Sequence, residues 1–176
     1  MPAEAIDPLR LIPAWRRNDA GMIKAAIDFW TKSDALPPGV TPEQRAQELC
    51  ALAYVRDEVV GVSTIELGYL PTLPCRLGFF RCLVSPAHPH RRIARRLTIY
   101  SRELLERWSK DNPKEKILGM AAVLENPNFD LLATWPIWRA ANLLLIGYNA
   151  KGQQIRLSWF DHARIERVGR PQTAQT

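Results

Sequence analysis

The chain has 176 residues, 47% hydrophobic and 24% charged, a balance that fits one globular domain with a buried core and excludes a disordered chain. No apolar run approaches the about 20 residues of a bilayer-spanning helix. The acidic residues within 1–7 do not suit a secretory signal, so the sequence predicts a cytoplasmic protein with no membrane association. The net charge of +6 favours a phosphate-bearing partner.

Residues 1–8 read as a short extension, 9–167 as the single domain and 168–176 as a loose tail. Residues 9–14 form a short opening strand. Asn18 or Asp19 can cap a helix whose apolar face is Met22, Ile23, Ala26, Ile27 and Trp30, at helical spacing. A Pro-Pro-Gly loop follows at 37–39. Thr41 then caps a second helix, with Pro42 at its first position and Gln44 nearby, running to about Leu49.

Strand signals come next: 51–55 and 59–67 around a turn at 56–58, then 77–84, which ends at Ser85-Pro86. From 91 to about 109 the period changes, with Ile93, Leu97, Tyr100, Leu104 and Trp108 recurring at three- and four-residue steps of an amphipathic helix. Asp111-Asn112-Pro113 stops it. Residues 116–124 are apolar enough for a central strand. Residues 128–141 read as a helix with a kink or late start at Pro136, and 143–148 and 154–160 as a closing hairpin around residues 149–152. Trp15, Trp30 and Trp108 fall at core positions. The fold class is therefore α/β, as a mixed α+β sheet with one strand–helix–strand crossover.

The three cysteines, Cys50, Cys75 and Cys82, form no CxxC pair and read as small buried hydrophobes in a reducing compartment. With His88 and His90 near Cys82 but His162 far off, no metal site is expected.

The chemistry concentrates where the strand at 77–84 turns into the arginine-rich helix. The first amides of a helix lack internal partners and carry the positive end of its dipole, which suits a pyrophosphate. Arg91, Arg92, Arg95 and Arg96 add guanidinium groups there. Arginines in a first turn oppose the dipole, so an anion is expected to compensate them. A compact diphosphate suits this placement better than an extended nucleic-acid backbone, although a basic RNA-binding module is a third reading.

This block, Leu83-Val84-Ser85-Pro86 followed by the arginine pair and Ile93-Ala94-Arg95-Arg96-Leu97, resembles the signature turn of the GNAT superfamily of N-acetyltransferases. That signature is Gln or Arg, two residues, Gly, one residue, then Gly or Ala. The element order from about Leu9 to Phe160 is also similar to that fold. The resemblance implies a mostly antiparallel central sheet with helices on both faces and acetyl-CoA, or another acyl-CoA, as co-substrate. It further implies that Leu83 and Val84 hold the pantetheine arm, and that His90, Arg91, Arg92, Ile93, Ala94, Arg95 and Arg96 hold the pyrophosphate.

Two departures stand out. Arg92 occupies the place of the middle glycine, which normally permits close backbone approach to a phosphate. Where the family often carries an acidic tyrosine, this chain has Trp135 or Trp138, and an indole cannot donate a proton as a phenol can. Tyr148 is a substitute acid, Glu66 and Glu125 are candidate bases, and Asn126 and Asn128 can bond the pantetheine amides. Trp135 and Trp138 can also line an acceptor pocket. The first expectation is direct acetyl transfer to an unidentified amine; the alternative is a non-catalytic acyl-CoA-binding sensor or interaction module. The reading leaves a homodimer open.

Overall fold

The computed structural model describes residues 8–73, 75–88, 92–125 and 134–165. Local signals set the first elements. After β1 (Leu9–Pro13), the Asp19 carboxylate accepts from the Met22 amide at 2.9 Å and starts α1 (Ala20–Ser33). A reciprocal pair of bonds between Thr41 and Gln44, 3.0 and 3.2 Å, starts α2 (Pro42–Ala46). The chain leaves this helix earlier than its sequence suggests, because Leu49 already begins β2 (Leu49–Val55) and is buried in the sheet.

Strands β3 (Glu58–Tyr69) and β4 (Arg76–Val84) follow, then α3 (Ile93–Asp111), β5 (Ile117–Val123), β6 (Ile137–Trp138), β7 (Leu143–Tyr148) and β8 (Gln154–Trp159). They form one sheet in the order β1-β2-β3-β4-β5-β8-β7-β6. Every pairing is antiparallel except β4 with β5, which α3 connects. The expected mixed, mostly antiparallel sheet is thus the observed one.

Period-two alternation divides the core between two faces. Leu52, Val62 and Leu83 pack with Ala26, Phe29 and Trp30 of α1. Ala51, Ala53, Val60 and Val84 pack with Ile93 and Leu97 of α3 on the other side. Further along, Leu105 joins Ile65, Phe80 and Met120.

The expected helix at 128–141 is corrected over its described part: 134–142 are turns and the short β6, whose Ile137 and Trp138 pair with Leu144 and Leu143 of β7. The Pro136 carbonyl accepts from the Leu145 amide at 2.8 Å, so long-range pairing uses groups that a helix would have needed. Cys50 and Cys75 are buried as expected, but Cys82 is exposed. Burial pushes the Cys50 thiol up to about 12, so it is neutral at physiological pH.

Candidate active site

The parallel pair β4 and β5 is matched only from Arg76 opposite Ile117 to Phe80 opposite Ala122. Beyond that point each strand follows its outer neighbour. β4 stays paired with β3 as far as Val84 opposite Gly61, and β5 with β8 as far as Val123 opposite Ile155. The carboxyl ends of the two parallel strands therefore part, leaving a notch in the middle of the sheet. In open α/β sheets such carboxyl-end crevices are where ligands bind.

The polarity of the notch follows from the ladder. The Ser85 amide donates to Val60 O at 2.9 Å, so Leu83 and Arg81 also turn their backbone groups toward β3. Those of Cys82 and Val84 alternate with them and face the open side, where β5 no longer receives them. Of the two residues expected to hold a pantetheine arm, Val84 presents its amide to the notch, whereas the Leu83 amide is spent on β3. Their side chains grip opposite faces: Leu83 reaches the α1 cluster and Val84 the α3 cluster.

The first turn of α3 lies at this end of β4. Ile93 is buried against the sheet, and a Cβ on Gly61 would lie 2.9 Å from its Cγ2, so the helix start presses onto β3. Among the described residues no side chain caps the helix. Arg92 precedes it in the left-handed conformation, φ 48° and ψ 38°, the region that glycine enters without strain. The backbone thus keeps a glycine-like turn although the residue is arginine. Arg95 is exposed, Ala94 is half-buried, and Arg96 is exposed with Nη2 donating to Leu9 O at 3.3 Å. His90, Arg91, Asn126 and Asn128 lie outside the described residues.

The candidate acid and bases are spread over the sheet. Glu66 sits opposite Phe79, beside the point where the strands part, and its carboxylate meets Arg81 at 2.6 Å. Arg81 also reaches Glu48 at 3.2 Å, and Glu48 meets Arg45 at 2.9 Å. Glu125 is exposed just past β5, on the other wall of the notch. Tyr148 is at the far end of β7, opposite Gln154 and exposed. From β3 to β7 the sheet order makes four steps, about 19 Å at the usual strand spacing. Glu66 and Tyr148 also occupy opposite faces, so the structure does not bring them to one reacting atom.

Trp135 and Trp138 are joined by a residue that the sequence reading passed over. Arg156 of β8 is 1% exposed, with its guanidinium 4.4 Å from the Trp138 ring centroid and Nη2 donating to Trp135 O at 2.9 Å. Nε and Nη2 also donate to Gln154 Oε1 at 3.0 and 2.7 Å. Burial lowers the guanidinium pKa, with Tyr148 acting against that shift. The alternation Gln154, Arg156, Ser158 in an otherwise apolar strand was the available signal for a polar inner face. Arg81, the centre of the Glu66 and Glu48 pairs, gave no sequence signal, since its partners lie on β3 and beside β2. Among the described residues no group of His, Cys, Asp and Glu is placed to hold a metal, and no helix is long and apolar enough to cross a membrane.

The sequence matches no protein-family model and no curated protein. Its structure is similar to many solved ones. Over 87% of this chain and 99% of the other, it superposes on a GNAT-family acetyltransferase from Streptococcus pneumoniae with a TM-score of 0.55 at 10% identity. A ribosomal-protein-S5-alanine acetyltransferase from Vibrio fischeri gives 0.55 at 12% identity, covering 89% of this chain and 94% of that one. A ribosomal-protein-alanine N-acetyltransferase from Brucella melitensis gives 0.54 at 13% identity, covering 86% and 99%. The chain has the GNAT fold.

Proposed function

We propose that this protein transfers an acetyl group from acetyl-CoA to an amine. The observation that carries the reading is the parting of β4 and β5 beyond Phe80 and Ala122, with the Cys82 and Val84 amides turned into the gap and the uncapped start of α3 at its mouth. An extended pantetheine arm can take the strand positions that β5 vacates. The diphosphate meets the free helix amides together with Arg92, Arg95 and Arg96, the anion that these first-turn arginines call for.

In the reaction the amine nitrogen forms a bond to the thioester carbonyl carbon, and the C–S bond of the resulting tetrahedral adduct breaks. The products are an amide and coenzyme A thiol. The Val84 amide is the candidate for stabilising the carbonyl oxygen as it gains charge. Glu66, oriented by Arg81, is the candidate for taking the amine's proton directly or through a water. Glu125 offers the same chemistry from the opposite wall. Tyr148 lies on β7, away from the notch and on the face opposite Glu66, so the departing thiolate takes its proton from solvent instead. The exposed Trp135 and the half-buried Trp138 are candidates for an acceptor pocket.

One observation favours a second reading, a non-catalytic acyl-CoA binder: the Glu66 carboxylate is already engaged by Arg81 in a chain that continues to Glu48 and Arg45. Two measurements test both. Saturating acetyl-CoA should stabilise the protein by about 1–3 kcal/mol in thermal unfolding, and no shift would sink both readings. Release of free thiol with a panel of primary amines, slowed in E66Q while the thermal shift persists, is expected of the enzyme. Binding without thiol release across the panel supports the binder.

A further inference from the structure

An open groove lies away from the notch, between the outer flank of α3 and the turn after β1. It encloses about 400 Å³ and is lined in part by Trp15, Arg17, Tyr100, Arg107, Trp108 and Asp111. Trp15 and Trp108 meet edge to face at 5.5 Å between centroids. Arg16 lies over both rings, 4.8 Å from Trp15 and 5.7 Å from Trp108.

The groove carries arginines that have no carboxylate partner among the described residues. Several guanidinium groups elsewhere are neutralised locally: Arg45 by Glu48, Arg76 by Glu115, Arg81 by Glu66 and Arg102 by Glu106. Along the groove, Arg16, Arg17 and Arg107 enter no salt bridge among the described residues, nor do Arg92, Arg95 and Lys110 on the same helix. Asp111 is the one carboxylate of the groove lining. Arg17 and Arg107 line the groove and Arg16 lies over its tryptophans, so positive charge gathers there, apart from the arginines at the notch. Aromatic rings stand among them: Trp15, Tyr100 and Trp108 line the same groove as Arg17 and Arg107. Spaced positive charge interleaved with π-faces fits a backbone of phosphates carrying planar bases.

We infer that the groove between α3 and the β1 turn is a docking surface for a single-stranded polynucleotide. It does not rest on the coenzyme reading, since the groove lies toward the carboxyl end of α3 and the notch at its start.

Fluorescence anisotropy with a labelled single-stranded RNA of about 12 nucleotides tests this. The protein should bind saturably, and affinity should fall steeply between about 50 and about 200 mM salt as counterions are released. Reversing the two exposed groove arginines, R17E with R107E, should weaken binding at least about tenfold and flatten the salt dependence by about two phosphate contacts. The melting temperature and its rise with acetyl-CoA should not change, which separates a lost surface from a lost fold. Absence of binding by the unmodified protein at low salt would overturn the inference, as would undiminished binding by the double variant. Competition by polyglutamate as effective as that by RNA would assign the surface to an acidic polypeptide and also overturn it.

Discussion

The two ends of α3 are built on opposite plans. Among the described residues its start has no side-chain cap and exposes arginines without carboxylate partners, and it sits over a sheet whose strands have separated. Its second half is stitched to β8 and the segment after it. Arg102 donates from Nε to Ser158 Oγ at 2.7 Å, from Nη1 to Glu106 Oε2 at 2.8 Å, and from Nη2 to Trp159 O at 3.1 Å. Glu106 Oε1 accepts from the Asp161 amide at 2.8 Å. Ser109 Oγ gives its proton to Ile117 O at 2.6 Å, so the His162 ring donates from Nε2 to Ser109 Oγ at 3.0 Å. A helix fixed this firmly at one end can leave its other end polar, unsatisfied and ready for a ligand.

The largest expected effect comes from cutting the anchor. The Arg102 and Glu106 side chains are 14% and 11% exposed, and E106A leaves a largely buried guanidinium and the Asp161 amide without their carboxylate. Breaking such a pair should cost about 3 kcal/mol in urea unfolding. Acetyl-CoA affinity, measured where the variant is folded, should change less than about twofold, since α3's start makes none of these contacts. Equal losses in both would mean that the two ends are not separable.

Glycine substitutions at the two ends sharpen the comparison at a smaller scale. At Gly78, under the anchored part, an added Cβ would come within 2.4 Å of Leu105 Cδ2 and 2.9 Å of Ile65 Cγ2. G78A should therefore destabilise by about 1–3 kcal/mol and leave the coenzyme affinity of the folded protein unchanged. At Gly61 the Cβ would meet Ile93 Cγ2 at 2.9 Å and Leu97 Cδ1 at 3.0 Å, a milder overlap than at Gly78. G61A should cost less stability, about 1 kcal/mol, yet weaken acetyl-CoA binding, because it lifts the first turn of α3 from β3. Isothermal titration beside thermal melts reads both quantities; G61A binding at full affinity would detach the helix start from the coenzyme site.

How much of this was legible in the sequence follows from the range of the interactions. The Asp19 and Thr41 caps and the period of α3 are written within a few residues, and they read correctly. The notch is not local: it arises because β4 stays in register with β3 while β5 stays with β8, and no segment of the chain records that divergence. The pairing of Glu66 with Arg81 is likewise a cross-strand fact. Residues 134–141 misled for a related reason. Ile137, Trp138 and Ala141 recur at helical steps, whereas a two-residue strand is too short to show a period and is defined by its partner on β7. Cys82 was assigned to the core by residue type, but it lies at the strand end where the sheet opens.

The smallest effect concerns the residue standing where the family turn has glycine. Arg92 holds φ at 48°, where a Cβ crowds the backbone and glycine does not. Two substitutions separate its backbone from its charge. R92A keeps the Cβ and removes the guanidinium, so it should leave stability nearly unchanged. R92G removes both and should stabilise by about 0.5–1 kcal/mol, the relief of the strain less the greater freedom of glycine in the unfolded chain. If the guanidinium grips the diphosphate, both variants should lose acetyl-CoA affinity by the same factor while only R92G melts higher. Should R92G instead bind more tightly than the unmodified protein, close backbone approach governs the site, and the arginine at the open end of α3 obstructs the coenzyme more than it attracts it.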